Sequence, residues 1–195
     1  MVESLTPDAR IPTDIRWTRD QCTELEKAGV LDYRYELIEG EIVRMSQNMP
    51  HATLLAVVWQ WALETFGRKC VVSQPSIDVS PDDNPTSEPM PDIVVLNRPA
   101  REFDDRPKPA DIQLLIEISD STLQNDRVKK ARLYARAGIV DYWVVDVKSQ
   151  SITIHRVPRN GEYDAIETYS GSAMLTPLAA PQHSIQVSEL LSDRE

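Results

Sequence analysis

Leu114-Leu115-Ile116-Glu117-Ile118-Ser119 reads as a buried strand with a carboxylate in its middle. Alternate residues of a strand share a face, so Leu115, Glu117 and Ser119 point one way and Leu114, Ile116 and Ile118 the other. The second face is core. The first sets a carboxylate beside a hydroxyl, which suits a polar cleft. A carboxylate inside an apolar run is costly unless it is paired, protonated or bound to a cation.

Upstream, Pro91-Asp92-Ile93-Val94-Val95-Leu96 repeats the pattern. Asp92 stands at the start of its strand, where a proline is tolerated and a side chain can lie at the rim of a sheet. Two such acids on strands close in sequence point to one shared site, and a divalent cation is the simplest group to put between them. Their hard oxygens suit Mg²⁺ or Mn²⁺ better than zinc. Such a metal can orient a water, lower its pKa and stabilise charge on a phosphodiester.

Downstream, the spacing predicts a helix over Leu123 to Ala137, ended by Gly138. Asp126, Lys130 and Tyr134 recur at i, i+4 and i+8 and so share one face, from which Lys130 can reach the acids. Each residue has a plainer alternative. A lone buried acid is more often a hydrogen-bonded structural group. Asp126 and Lys130 are by default an exposed helix ion pair. Tyr134 can be core, and His51, at the start of a helix, is more often a cap or surface residue than a catalyst. The ordered set carries the inference: an acid after proline, Glu-x-Ser on a strand, Asp-x-x-x-Lys-x-x-x-Tyr on a helix, then the strand Tyr142-Trp143-Val144-Val145-Asp146.

Further out, Thr18-Arg19-Asp20-Gln21 has capping-box form and opens a short helix over about 18 to 28. Glu39-Gly40 joins two strands, Tyr35 to Ile38 and Glu41 to Met45, as a hairpin. His51 to Arg68 carries apolar residues at helical spacing. Val71 to Val79 is expected as a strand interrupted by Pro75. Two Pro-rich, charged loops flank Ile93 to Leu96. Strands follow at Tyr142 to Val147, Ile152 to Val157 and Tyr163 to Tyr169, the last two across Asn160-Gly161, with a final strand near Ile185-Val187. The order α, ββ, α, βββ, α, βββ predicts an α/β mixed central sheet flanked by helices.

Length and composition agree with one domain over residues 17 to 192 behind a flexible N-terminal arm, 1 to 16. The chain has 195 residues, 41% hydrophobic and 27% charged, which is ordinary for a soluble globular protein. No stretch approaches the length of a membrane span, and Met1 to Arg16 lacks the apolar run of a secretory signal. Cys22 and Cys70 are the only cysteines and do not form a CxxC, so the expected compartment is the reducing cytoplasm. The net charge of −10 argues against a broad basic surface for nucleic acid, but leaves room for local cations around an acidic centre.

Tyr35 to Val43, Pro91-Asp92-Ile93-Val94, Glu117 to Thr122 and Asp126 to Asp146 together resemble the Uma-two family, a bacterial group within the PD-(D/E)xK nuclease superfamily. The resemblance covers about residues 17 to 192. Its last block is specific: Lys130, Tyr134, Gly138, Tyr142, Trp143 and Asp146 fall where the family has them. It implies a restriction-endonuclease-like fold and a metal-dependent endonuclease acting on DNA, with Asp92 and Glu117 as ligands of Mg²⁺ (or Mn²⁺). Ser119 stands where the superfamily usually has its lysine, so that role passes to Lys130. Glu36 matches an acid of the N-terminal block and is a further candidate carboxylate, with Glu39 and Glu41 as rivals. Asp126 and Tyr134 would orient Lys130, and Ser119 and His51 complete the candidate set. Asp120 replaces a frequent proline. A homodimer is an expected partner, and a catalytically inactive interaction module on the same fold is the alternative function.

Overall fold

A computed structural model describes residues 15–46, 48–120 and 122–192. Of the arm expected over 1 to 16, residues 1–14 lie outside the described residues. Arg16 is tied down, donating to the Glu39 carbonyl and the Glu41 carboxylate.

The chain opens with α1 (Arg19–Lys27), started by the Thr18/Gln21 capping box read from the sequence. A hairpin of β1 (Tyr35–Ile38) and β2 (Glu41–Arg44) follows. Its turn needs two left-handed residues, Glu39 (φ 49°) and Gly40 (φ 80°). Glycine is also required by contact, since a Cβ at position 40 would lie 2.9 Å from Arg16 Cβ.

Next come α2 (Met49–Phe66), β3 (Val71–Ser73), β4 (Ile93–Leu96) and β5 (Ile112–Ser119). A π-helical segment, Asn125–Lys130, runs into α3 (Ala131–Ala137). The chain then forms β6 (Asp141–Asp146), β7 (Ser151–Arg159), β8 (Glu162–Ser170), the short pair β9 (Met174–Leu175) and β10 (Ile185–Gln186), and α4 (Val187–Leu190). The main sheet has six strands in the order β3-β4-β5-β6-β7-β8, antiparallel except for β5 and β6, whose parallel pairing needs the α3 crossover between them.

Both faces of this sheet are core. On one, Leu54, Val58 and Trp61 of α2 and Leu190 of α4 pack against Ile93, Leu114, Ile116, Ile118 and Trp143, with the Trp61 and Trp143 rings stacked at 5.6 Å. On the other, Leu133, Tyr134 and Ala135 of α3 pack with Ile38 of the hairpin against Val94, Leu115, Tyr142 and Val144. The face of Leu115 is therefore polar only at its Glu117–Ser119 end. A helix laid across the sheet covers Leu115, and a cleft remains only where that helix begins.

Three local expectations change. The strand expected over Val71 to Val79 stops at Ser73, because Gln74 turns to φ 51° ahead of Pro75. α2 starts two residues early, with Asn48 accepting the His51 N–H as its cap. The helix expected from Leu123 is π-wound through Lys130, a widening common at functional sites. Among the described residues, no helix is long and apolar enough to cross a membrane.

Candidate active site

Strand register brings the two acids together. Ile93 pairs with Ile116 across the antiparallel β4–β5 ladder, so Asp92 comes alongside Glu117. Asp92 is tied to β5 one residue beyond Glu117: the Ile118 N–H donates to Asp92 Oδ2 at 2.8 Å. From α2, His51 Nε2 meets the same oxygen at 3.2 Å, and Gln74 Nε2 donates to Asp92 Oδ1 at 2.9 Å.

Lys130 reaches the strand as its helical face predicts. Its Nζ donates to Glu117 Oε1 and Glu36 Oε1, both at 2.9 Å, and lies 3.7 Å from Asp126 Oδ1. The pairing is buried: Lys130 is 4% exposed, Glu36 5%, Glu117 3% and Asp126 2%. Among the three rival acids of the hairpin, Glu36 points inward and also accepts the Met90 N–H at 2.7 Å. Glu39 pairs with Arg136, and Glu41 with Arg16 and Lys129. Alternation along β1 and the turn separates them.

Asp126 is held by the Ser119 and Thr122 hydroxyls, both donating to its Oδ2. The expected role of Tyr134 changes partner. Its hydroxyl donates to Glu117 Oε1 at 3.1 Å, so it orients the acid, and its ring packs edge-on against Tyr142. Tyr142 in turn donates to the Asp126 carbonyl at 3.0 Å. Sequence reasoning missed Gln74 and Arg44, which line the same cavity. Neither sits in an apolar run that would mark it; Gln74 precedes Pro75 and Arg44 ends an ordinary strand.

The charges set the protonation states. Burial pushes the Glu117 carboxyl well up, and the neighbouring Asp126, Glu36 and Asp92 carboxylates push it further against the pull of Lys130. Burial alone would lower the Lys130 ammonium, but Glu117, Glu36 and Asp126 together hold it well above the usual lysine range. Lys130 is thus a fixed cation, and Glu117 is the acid that resists ionisation. The second pair behaves differently. Burial opposes ionisation of both partners, but the His51 hydrogen bond and charge hold Asp92 low, and Asp92 raises His51 in return, aided by Asp126 and Asp120.

These groups line an open cavity of about 260 Å³, with Arg44 and Asp120 at its wall. Asp92 and Glu117 both present hard oxygens to it, and Glu117 Oε2 accepts no hydrogen bond from a described residue. Among the described residues, no group of three His, Cys, Asp or Glu side chains is arranged to hold a metal ion. Mg²⁺ is commonly held by one or two carboxylates and keeps several waters, so this donor set fits an open site better than a closed cage.

No curated protein matches the chain. A crystal structure of a "putative nuclease belonging to DUF820" from Anabaena variabilis superposes with a TM-score of 0.67 at 17% identity, covering 89% of this chain and 97% of the other. At that identity the likeness establishes the shared fold, a mixed sheet flanked by helices. Residues 22–188 match the Uma2 family, described as "putative restriction endonuclease", and over that span the chain belongs to it.

Proposed function

We propose that this protein hydrolyses phosphodiester bonds of DNA as a divalent-metal-dependent endonuclease, with Asp92 and Glu117 holding Mg²⁺ or Mn²⁺. The observation that carries the reading is the Lys130 ammonium seated between Glu117 and Glu36 at the wall of the cavity that Asp92 shares. A metal bound there would supply Lewis-acid stabilisation of phosphoryl charge and an activated water.

The chain's own residues supply the rest. Lys130, held charged, steadies negative charge rather than abstracting a proton. Tyr134 fixes Glu117 through its hydroxyl, and His51 and Gln74 fix Asp92. Arg44 and Arg34 are exposed beside the cavity and offer phosphate contacts that the net charge of −10 conceals.

Purified protein with Mg²⁺ or Mn²⁺ should nick plasmid DNA, and Asp92→Ala or Lys130→Ala should abolish it. Nicking that persists in both variants overturns the assignment. The homodimer is part of this proposal and is tested by sedimentation of the purified chain; cytoplasmic residence is tested by fractionation.

The alternative is a nuclease-fold interaction module without catalysis. It is favoured by the Lys130 cation already engaging Glu36, Glu117 and Asp126, with no group of three His, Cys, Asp or Glu side chains arranged to hold a metal ion among the described residues. Calorimetry with Mn²⁺ separates the two, since a module that binds no metal cannot hydrolyse DNA by this route.

A further inference from the structure

Gln74 occupies the left-handed region at φ 51°, which side chains other than glycine and asparagine rarely adopt. Such strain persists where surrounding contacts over-determine it, and it concentrates at functional sites. Here two of the contacts lead to Asp92. The Gln74 N–H donates to the Asp92 carbonyl at 3.1 Å, and its Nε2 donates to Asp92 Oδ1 at 2.9 Å. On its other side, Gln74 Oε1 accepts from the Arg34 guanidinium at 2.9 Å. Arginine can only donate, so this bond fixes which end of the amide is oxygen and turns the NH₂ toward Asp92.

The division of labour on Asp92 is uneven. Ile118 and His51 both act on Oδ2, and Gln74 is the sole described partner of Oδ1. Gln74 thus holds the carboxylate oxygen that neither Ile118 nor His51 engages, and completes the restraint on its rotation. An amide suits this task. It donates one hydrogen bond without adding another anion to a cluster already rich in carboxylates. It also brings no cation to compete with a metal, as lysine or arginine would.

We propose that Gln74 is a positioning residue for the metal ligand Asp92, with Arg34 as the anchor of its amide. The proposal rests on the reading of Asp92 as a ligand. The strained backbone aims the side chain, the arginine sets its orientation, and the carboxylate is presented to the cavity it shares with Glu117.

Gln74→Gly tests this without disturbing the turn, because glycine adopts φ 51° freely and keeps the N–H bond to the Asp92 carbonyl. Two quantities are read: the thermal midpoint of the metal-free protein, and the Mn²⁺ dissociation constant by titration calorimetry. Gln74→Gly should keep or raise the midpoint and weaken Mn²⁺ binding by on the order of tenfold, as removal of groups supporting a metal ligand does. Gln74→Ala should show the same loss of affinity with a lower midpoint, since it retains the backbone strain. Wild-type Mn²⁺ affinity in Gln74→Gly, with binding still abolished in Asp92→Ala, overturns the role of Gln74 alone. Absence of Mn²⁺ binding in the unsubstituted protein overturns the metal reading and this proposal together.

Discussion

The Lys130 ammonium lies 2.9 Å from Glu117 Oε1 and joins the π-helical segment to the strand that precedes it. Glu36 and Asp126 crowd the same buried cation, so one positive charge serves three acids. Removing it leaves uncompensated charge in the interior, which is far more damaging than never having built the pair.

Lys130→Met is therefore expected to lower stability by about 3–5 kcal/mol. Glu117→Gln, added to Lys130→Met, should recover part of that loss by removing one of the stranded acids. Urea unfolding of the four proteins in metal-free buffer gives the double-mutant cycle. Simple additivity would show that the two residues are not energetically coupled.

A pH dependence follows from His155, packed between the Tyr142 and Tyr163 rings with its Nδ1 buried and without a hydrogen-bond partner among the described residues. Burial pushes its imidazole down from 6.5 to about 4. The unfolded chain takes up this proton near 6.5 and the folded chain only near 4, so folding loses stability as pH falls through that window, by up to about 3 kcal/mol. His155→Phe should flatten the decline. Urea midpoints measured from pH 7 to pH 4 check it, and parallel slopes in the two proteins would rule out His155 as the source.

Arg44 lines the cavity with its guanidinium 4.8 Å from the Tyr33 ring centroid. If the proposed DNA contact is made there, Arg44→Ala should weaken DNA binding equally across sequences and reduce the salt slope by about 1. Affinity measured from low to moderate salt decides this; an unchanged slope removes Arg44 from the interface.

Gly40 and Gly29 share positive φ but differ in surroundings. A Cβ at position 40 would meet Arg16, including its backbone at 3.1 Å, and one at position 29 would meet nothing within 4 Å. Gly40→Ala should cost more than about 1 kcal/mol, a fall of about 2–4 °C or more in thermal midpoint. Gly29→Ala should cost less, since it carries the backbone strain without the clash. Equal shifts would mean that the Arg16 contact contributes nothing.

Much of this architecture was legible in the linear chain because its causes are local. Short apolar runs bounded by loops and turns marked β4 to β8, the Thr18/Gln21 box marked α1, and Glu39-Gly40 marked the hairpin. The spacing of Asp126, Lys130 and Tyr134 placed one face of a helix toward the acids, since helical periodicity depends only on sequence separation. What periodicity could not supply was which distant groups meet. The pairing of Glu36 with Lys130 spans 94 positions and depends on where the hairpin docks against Glu88 and Thr86. The transfer of Tyr134 from the lysine to Glu117 and the grip of Gln74 on Asp92 likewise arise from sheet register and from one strained backbone angle. Local propensity encodes elements and faces; the raised titration of Glu117 and the orientation of Asp92 come from charges and donors that only packing brings within reach.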